Sequence, residues 1–591
     1  MPVRAADADA DNVGPYNRLS ASQTNTWDDC PRLWWYQNKQ RLKFPQTPPL
    51  FLGRAVEETV CRVLMESPGI VVGNSPSNII DMGVDSLLPL FDNEVPSNES
   101  ELTKWCEDRV DVHWPGIRDA MHEEWQNDAR KAGDWHEYSM ETYRDMCVSA
   151  MKMHIDEVVQ CMSDVGLDEL SLWRNGHRLS IPAPDGRNSS IERHPLAGSD
   201  GCNLVEAWEI ARPWFVDPNA PAFSLNSIHP EHWFQGEYDI VYRHCNSTRI
   251  MDLKASRGGG DRSGNYVEQL RMYAMLWSIT HEGEIPDALE VWYLGVGIRK
   301  SIEVPSAEEI ALMEQRLNDL WHEIKESDVV LDDCPTIPRP LRGYAEGGMK
   351  IENPSESRCV SCDWAALCPN GSGNDDLPEG GEYEKPGDIK VYDLVPFGEL
   401  QPRVNIFCEV FSVTNVPDKP PNVMIQHSDG FALLRIISPE SEDGPTYPHD
   451  LAKGDTVRLE GVIPSTNWKG ELQLKVDPHA RVIKADAAES SDVGLYDFRA
   501  RWNVAGRVCY TTYKSGIGKN GKPWARKGIV LLDATGRITV EGWDNSWPSI
   551  FNTLEQGDEI AVLNVSLDAW AIDVKANMEK GSSLQVLSRQ N

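Results

Sequence analysis

The sequence lacks the features that would place the protein in a membrane or make it a P-loop motor. No apolar run approaches the 18 or more residues that can cross a bilayer. The N-terminal stretch has no apolar segment of the kind found in signal peptides. The pattern G-x-x-x-x-G-K-[ST] is also missing, so we expect no helicase motor of that class. Together these absences predict a cytoplasmic protein that has no membrane partner.

Basic residues are in short supply. The chain has 57 lysines and arginines against 92 aspartates and glutamates, which gives a net charge of −35. An acidic surface repels nucleic acid in general, but a local basic groove on such a protein can still bind it. An acidic surface also suits a salt-rich cytoplasm, where charges are screened. The balance therefore predicts a halophilic or marine microbial source and does not exclude DNA as a partner.

Paired cysteine spacings are mostly absent as well. Most of the 13 cysteines are isolated along the chain, and a long intracellular chain with scattered cysteines is not a disulfide scaffold. We interpret the isolated ones as small buried apolar residues. The exceptions are the run Cys359, Cys362 and Cys368, and Cys30 near the N-terminus.

Composition divides the chain into several regions. With 591 residues, domains of about 150 residues each would number roughly four. Residues 1–18 resemble a disordered leader in composition, and the acidic Gly- and Pro-rich stretch 371–388 has the composition of a linker. Between them we predict one domain over 19–370, with a helical insert at about 67–175. After the linker, similar strand-and-turn patterns repeat, which predicts two small closed barrels at 389–486 and 494–591.

Two aspartates lie beside short apolar runs that look like neighbouring strands. Asp239 precedes Ile240, and Asp252 lies between Met251 and Leu253, with turn-forming residues between the two runs. On an antiparallel hairpin both carboxylates could converge, and Lys254 would share a face with Asp252 because strand side chains repeat every two residues. Carboxylates of this kind bind Mg²⁺. The alternative is a pair of surface acids at a hairpin.

Three further polar residues could join this site. Gln269 and Tyr273 are four residues apart on a predicted helix over 265–280, so they share a face. Glu57 lies four residues after Gly53 on a predicted amphipathic helix and could supply a third acidic ligand. The alternative for Glu57 is a solvated helix residue.

The run Cys359, Cys362 and Cys368 has the spacing C-x2-C-x5-C, which leaves a four-ligand site one thiolate short. Cys30, just before Pro31, offers a distant fourth ligand. A zinc knuckle is the alternative, although structural zinc usually takes its ligands from two local pairs.

A basic and aromatic stretch lies in the second predicted barrel, at residues 510–528. Bases stack on aromatic rings while basic side chains follow the phosphate backbone, which is how proteins hold single strands without reading sequence. The alternative is a solvated hairpin. The candidate DNA-binding residues are Tyr510, Tyr513, Lys514, Lys519, Lys522, Trp524, Arg526 and Lys527.

These motifs together resemble the RecB-like branch of the PD-(D/E)xK nucleases. GEYD at 236–239, DLK at 252–254 and Q-x-x-x-Y at 269–273 occur in the family's order. The resemblance implies an α/β restriction-endonuclease-like core with a helical insert. It assigns Mg²⁺ or Mn²⁺ to Asp239 and Asp252, a catalytic role to Lys254, and supporting roles to Gln269 and Tyr273. Glu57 stands where the family has a histidine, and a carboxylate can replace imidazole as a ligand to a hard cation.

The cysteine pattern is similar to that of iron–sulfur nucleases of the AddB type and of CRISPR adaptation. They share the S-x-S…C-P start, here Ser20, Ser22, Cys30 and Pro31, and the trailing C-x2-C-x5-C. The resemblance implies a structural [4Fe–4S] cluster on Cys30, Cys359, Cys362 and Cys368. The tail resembles the OB-folds of replication protein A, so the fold class is a nuclease core followed by two all-β OB-fold barrels.

The function that these resemblances imply is metal-dependent cleavage of DNA, single-strand-specific or end-dependent, in repair, replication or recombination. Two alternatives stay open: a CRISPR-adaptation-type nuclease, and a catalytically silent scaffold that binds single-stranded DNA. A separate helicase is a possible partner because the chain has no P-loop.

Overall fold

The computed structural model describes most of the chain, in two compact units. The described residues are 17–66, 68, 70–71, 90–91, 95–174, 198–213, 226–256, 263–327, 329–337, 340–344, 350–357, 359, 362–387, 389–417, 419–437, 445–467, 469–486, 493–518, 521–570 and 573–590. The N-terminal unit comprises the described residues up to 38 and from 43 to 358. The C-terminal unit comprises 39–42 and the described residues from 359 onward. The predicted leader lies outside the described residues as far as residue 16.

The α-helices that the structure describes belong to the N-terminal unit. They are α1 (Ala21–Asp29), α2 (Pro31–Trp34), α3 (Pro48–Met65), α4 (Glu99–Asn127), α5 (Met140–Asp164), α6 (Leu167–Arg174), α7 (Leu204–Ala211), α8 (Ser263–Thr280) and α9 (Ala307–Trp321). Local sequence sets several of their starts. Asn203 with Glu206 forms a capping box at α7, and Ser306 with Glu309 forms one at α9. Helices α4, α5 and α6 lie in the region predicted as a helical insert.

The strands of the N-terminal unit form small sheets around one four-stranded sheet. They are β1 (Leu19–Ser20), β2 (Ile70–Val71), β3 (Leu90–Phe91), β4 (Asn226–Ile228), β5 (Phe234–Glu237), β6 (Ile240–His244), β7 (Ser247–Lys254), β8 (Ala288–Tyr293), β9 (Ile298–Ile302), β10 (Pro340–Tyr344) and β11 (Lys350–Ser357). The four-stranded sheet has the order β6-β7-β8-β9. Strands β7 and β8 are parallel, so the chain crosses over between them, and it does so through α8.

The hairpin of β6 and β7 is closed by a two-residue turn. Cys245 and Asn246 both have positive φ, 54° and 55°, which is the conformation of the tight turns that match strand twist. Ile240 pairs with Met251 and His244 with Ser247. The predicted antiparallel hairpin is therefore present, with Asp239 one residue before β6 and Asp252 near the end of β7.

Helix α5 packs on this sheet through a buried carboxylate. The side chain of Glu157 is fully buried and forms ion pairs with Arg249 of β7 and Arg299 of β9. His154 Nδ1 lies 2.8 Å from the hydroxyl of Tyr242 on β6. A buried charge is tolerated when it is paired and hydrogen-bonded, and here the pairing fixes the helix against the sheet.

The C-terminal unit contains two barrel-like sheets of the same topology. Its strands are β12 (Gly381–Glu384), β13 (Val391–Leu394), β14 (Val404–Val416), β15 (Lys419–His427), β16 (Gly430–Ile436), β17 (Thr456–Thr466), β18 (Leu472–Val476), β19 (Arg481–Lys484), β20 (Trp502–Ile517), β21 (Pro523–Asp533), β22 (Gly536–Trp543), β23 (Glu559–Trp570), β24 (Asp573–Met578) and β25 (Ser583–Ser588). The sheet orders are β14-β15-β16-β18-β17-β19 and β20-β21-β22-β24-β23-β25. In chain order, the first strand of each sheet also pairs with the fourth, β14 with β17 and β20 with β23. Each sheet therefore closes on itself around its own apolar core.

The segment with linker composition has structure of its own. Its strand β12 pairs with β13, and Arg507 donates hydrogen bonds to the backbone oxygens of Asn374 and Asp376. The backbone N–H of Ala534 donates to Pro378 O at 3.0 Å. This segment therefore packs on the second barrel, while the predicted domain boundaries themselves stay predictions.

Candidate functional site

The two aspartates of the hairpin lie at the same end of the four-stranded sheet. Asp239 Oδ2 accepts a hydrogen bond of 2.8 Å from the backbone N–H of Leu253, the residue that follows Asp252. Asp239 is half-buried, whereas Asp252 is 1 % exposed. The fold thus brings together two carboxylates that are 13 residues apart in the chain.

Asp252 has an unusual environment for an acid. Burial leaves its carboxylate almost no contact with solvent, and its cationic partner is Lys254. Lys254 Nζ lies 2.6 Å from Asp252 Oδ2, in an ion pair. Burial raises the pKa of Asp252 to about 7, against the opposing charge of Lys254 and with a further rise from Asp239. A buried carboxylate beside a second carboxylate fits a divalent cation with oxygen ligands.

Lys254 carries a stable positive charge at this site. Burial opposes that charge, but the attraction of Asp252 and Asp239 outweighs burial and raises the pKa of Lys254 above its usual value. The ammonium lies 4.8 Å from the ring centroid of Tyr266, in cation–π geometry. The side chain is 20 % exposed, so it can meet a charged group from solvent.

Gln269 and Tyr273 share a face of α8, as their spacing predicts. Gln269 Nε2 donates a hydrogen bond of 2.8 Å to the Tyr273 hydroxyl. Burial, and then the charge of Asp239, raises the pKa of Tyr273, so the phenol stays neutral near the acids. A Cβ at Gly236 would lie 3.0 Å from Tyr273 Cε1. The glycine of the GEYD motif is therefore explained by the close approach of this ring.

Glu57 lies on α3, whose neighbouring turn touches the end of β7. A Cβ at Gly53 would lie 4.0 Å from Ala255 Cβ, and Ala255 directly follows Lys254. Glu57 is half-buried and one turn further along the same helix face. Its role as a metal ligand stays a prediction.

The cysteines predicted to hold a cluster are all half-exposed. The backbone N–H of Cys362 donates to Cys359 O at 3.3 Å, and that of Cys368 donates to Ala365 O at 3.3 Å, so the run folds into tight turns. Cys30 precedes Pro31 at the start of α2. Cys30 and the run belong to different units, and the cluster that would join them stays a prediction.

A second group of potential metal ligands went unnoticed in the sequence. Ligand atoms of Cys161, His244 and Cys245 all lie within 4.8 Å of one another. Cys161 comes from α5, and the other two from the end of β6 and the hairpin turn. In the sequence, only the adjacent residues His244 and Cys245 indicate a possible metal site. Cys161 lies more than 80 residues away and gives no local signal.

The basic stretch of the second barrel forms the hairpin of β20 and β21. Tyr513 pairs with Lys527, Lys514 with Arg526, and Gly516 with Trp524. Lys519 lies outside the described residues. Tyr513 is 51 % exposed and Trp524 36 %, and the Trp524 ring rests on Gly516. The hairpin therefore presents aromatic rings and cations on adjacent strands.

Part of this basic charge is already compensated within the barrel. Lys527 Nζ lies 2.8 Å from Asp544, and Arg526 lies 3.6 Å from Glu541. Arg526 also stacks over the exposed ring of Trp543, at 5.4 Å from its centroid. Trp543, 55 % exposed, was not among the predicted residues. Lys514 and Lys522 are exposed on the same hairpin, and Tyr510 lies at its more buried end.

The first barrel carries an aromatic pair that the sequence analysis did not single out. The rings of Phe411 and Phe431 pack edge to face with centroids 5.0 Å apart, and the two residues are 42 % and 55 % exposed. Lys453 Nζ lies 5.4 Å from the Phe411 centroid. Phe411 sits where the register of β14 shifts between Val410 and Ser412. A strand bulge of this kind redirects a side chain, which a period-two pattern does not indicate.

Comparison with solved structures finds weak likeness to several proteins. A replication protein A heterotrimer bound to single-stranded DNA matches at 14% identity, over 33% of this chain and 51% of its own, with a TM-score of 0.14. A replication factor A related protein from Methanobacterium thermoautotrophicum matches at 20% identity, over 14% and 78%, with a TM-score of 0.13. An OB domain from Thermoplasma acidophilum matches at 16% identity, over 16% and 81%, with a TM-score of 0.13. This chain thus spans about half the length of the matched chain of the replication protein A heterotrimer. All three TM-scores are too low to support a conclusion about structure or function.

No curated protein matches this chain. In the described part of the chain, no helix is both long enough and apolar enough to cross a bilayer. The family comparison is informative: the PD-(D/E)XK nuclease superfamily matches residues 205–369. That stretch contains the hairpin with Asp239, Asp252 and Lys254, helix α8 and the cysteine run. Residues 205–369 carry a PD-(D/E)XK nuclease superfamily domain.

Proposed function

We propose that this protein is a divalent-metal-dependent DNA nuclease whose barrels hold single-stranded DNA. The observation that carries the proposal is the state of Asp252. Its carboxylate is buried beside a second carboxylate and is paired with Lys254, and its pKa is raised to about 7. Two carboxylates against one ammonium leave one negative charge in this site, which a divalent cation would offset, and the superfamily match supports a hydrolytic use of that cation.

Asp239 and Asp252 would hold Mg²⁺ or Mn²⁺, with Glu57 as a third acidic ligand. When bound, the ion supplies activation of water and neutralisation of charge on the phosphodiester. Lys254 keeps its proton because the two aspartates raise its pKa, so its ammonium is available to stabilise negative charge on a phosphate. The contact with Tyr266 holds that ammonium at the end of β7.

Gln269 and Tyr273 act as positioning residues in this proposal. The hydrogen bond between them fixes both side chains on one face of α8. The Tyr273 ring packs edge to face against Tyr238, with centroids 5.4 Å apart, and Tyr238 directly precedes Asp239. Helix α8 thereby fixes the backbone that presents Asp239.

The barrels would guide one strand to the nuclease. Two sheets with the strand order and closure of OB-folds carry exposed rings beside lysines: Phe411, Phe431 and Lys453 on the first, and Tyr513, Trp543 and Lys514 on the second. Stacking on such rings contributes roughly 1–3 kcal/mol per base and tolerates any sequence. Tethering raises the effective concentration of the strand near the nuclease site.

The four cysteines Cys30, Cys359, Cys362 and Cys368 are proposed to hold a structural [4Fe–4S] cluster, because four thiolates are the ligand set of that cluster. Protein purified without oxygen should then be brown, and Cys362→Ala should lose the colour. A colourless wild-type protein that holds zinc on these cysteines would establish the zinc knuckle instead.

Cleavage of labelled strands tests the proposed function. Substrates labelled at the 5′ end, the 3′ end or internally, with and without a duplex block, are incubated with Mg²⁺ or Mn²⁺. The wild type should cut single-stranded DNA, Asp252→Asn should not, and both should bind the strand equally. Asp319→Asn, an exposed acid on α9, is the matched control and should cut like the wild type. A wild type that binds but never cuts with either metal would establish the scaffold alternative.

A further inference from the structure

We propose that Cys161, His244 and Cys245 bind a zinc ion, separate from the nuclease site and from the four cysteines assigned to a cluster. The inference starts from the three ligand atoms of these residues, which lie within 4.8 Å of one another. Two thiolates and one imidazole supply three of the four tetrahedral ligands of zinc, and water can take the fourth position.

The three ligands are held in place by the fold. Cys161 is fully buried in the last turn of α5, and His244 is 4 % exposed at the end of β6. Cys245 occupies the hairpin turn with a positive φ of 54°. Its backbone N–H donates a hydrogen bond of 2.9 Å to Glu169 Oε2 of α6. This bond fixes the turn that carries both His244 and Cys245.

The ring of His244 has the orientation that a zinc ligand needs. Nδ1 faces the sulfurs and lies 3.4 Å from Cys245 Sγ. Nε2 faces the buried ion pair of the sheet, 3.0 Å from Arg249 and 3.8 Å from Glu157 Oε2. The Arg249 guanidinium has only donors, so Nε2 accepts from it and the ring proton lies on Nδ1. Zinc on Nδ1 would move that proton to Nε2, with Arg249 shifted aside so that Glu157 becomes its acceptor. A carboxylate behind the ligating histidine is the usual second partner of such a site.

The ligand chemistry also fits zinc. Two thiolates and a neutral imidazole balance the charge of Zn²⁺. Soft thiolates select zinc over Mg²⁺ or Mn²⁺, so the same protein could hold a hard cation at Asp252 and zinc here.

The site would join two parts of the N-terminal unit. It connects α5 of the helical insert and the turn of the hairpin that carries Asp239 and Asp252. Asp252 is seven residues from Cys245 along β7, roughly 23 Å at strand spacing. Zinc would therefore act as a structural anchor for the hairpin without contact with the reacting groups.

Metal analysis of the full-length protein tests this site. Zinc and iron per chain are measured for the wild type, His244→Ala and Cys245→Ala, with Cys106→Ala as the matched control, since Cys106 is buried in α4. We expect one zinc per chain in the wild type and in Cys106→Ala, and none at this site in the other two. Cys362→Ala should keep this zinc, which separates it from any metal on the late cysteine run.

Cobalt exchange adds a test that does not depend on the nuclease. Co²⁺ in the wild type should give the absorption of a tetrahedral thiolate site, and Cys245→Ala should lose about half of its sulfur-to-metal intensity, one thiolate of two. If the variants do not fold, alkylation of the wild type serves instead. Chelation of zinc should expose Cys161 and Cys245 to iodoacetamide together.

Three results would overturn the proposal. The first is a zinc content that is the same in His244→Ala, Cys245→Ala and the wild type. The second is a disulfide between Cys161 and Cys245 in the unreduced peptide map. The third is wild-type protein that takes up neither zinc nor cobalt after reduction, with no change in alkylation at these cysteines.

Discussion

Neutralising Asp252 should change how the stability of its unit depends on pH. Burial raises the pKa of this carboxyl to about 7 in the folded protein, whereas an aspartate in an unfolded chain has a pKa of about 3.9. Between these values the folded state keeps a proton that the unfolded state has lost. Stability therefore falls as pH rises through this window. Lys254 stays protonated in both states throughout this pH window, so it does not change how stability depends on pH there.

The size of the effect follows from the two pKa values. About three pKa units at about 1.4 kcal/mol each give about 4 kcal/mol over the whole window. The range from pH 5 to pH 8 overlaps this window over about two pH units, which corresponds to a loss of about 3 kcal/mol of stability. Asp252→Asn replaces the carboxyl by a neutral amide of the same shape. In the presence of chelator, the wild type should thus lose about 3 kcal/mol relative to this variant between pH 5 and pH 8.

Urea unfolding followed by tryptophan fluorescence measures the difference. The transition that contains Asp252 is recorded with EDTA at pH 5, 6, 7 and 8 for the wild type, Asp252→Asn and the control Asp319→Asn. Mg²⁺ added at pH 8 should restore stability to the wild type and to the control, but not to Asp252→Asn. If the stability of the wild type and that of Asp252→Asn change in parallel with pH, within about 0.5 kcal/mol, the raised pKa of the buried carboxyl is refuted.

Three further predictions follow from particular contacts. Gly236→Ala should destabilise the N-terminal unit by about 1–3 kcal/mol and slow cleavage, because its Cβ would lie 3.0 Å from Tyr273 and Leu276; thermal unfolding and a cleavage assay test this. Lys254→Gln should abolish cleavage while leaving strand binding by anisotropy intact, and wild-type rates in this variant would exclude the lysine. Tyr513→Ala combined with Trp543→Ala should weaken binding of single-stranded DNA about tenfold or more, and unchanged affinity would remove the second barrel from the binding surface.

The hairpin with its acids was predictable because its signals are local. Two apolar runs of strand length, separated by turn formers, indicate an antiparallel pair, and an acid next to each run indicates where the carboxylates lie. The face shared by Gln269 and Tyr273 follows from helical periodicity, and their hydrogen bond is present. The repeat of strand-and-turn texture likewise predicted two closed sheets, which have the same strand order.

The features that were missed depend on residues far apart in the chain. Cys161 and Cys245 are 84 positions apart, and each looks like an ordinary buried cysteine. Phe411 and Phe431 are brought together by strands β14 and β16, with β15 between them, and a bulge in β14 turns Phe411 outward. Composition also indicated a linker at 371–388, yet backbone groups of that segment bond to the second barrel.

The sequence by itself determined the chemistry at hand: which carboxylates, lysine, amide and phenol could act together, and in what order the elements occur. It could do so because hydrophobic periodicity, turn-forming residues and motif spacing are all properties of short stretches of the chain. Only the tertiary structure decided the environment of those groups. The burial that raises the pKa of Asp252, the ring that requires Gly236, and the gathering of Cys161 with His244 and Cys245 all come from packing between distant segments. Solvation and charge depend on every neighbour in space, and a linear sequence does not specify those neighbours.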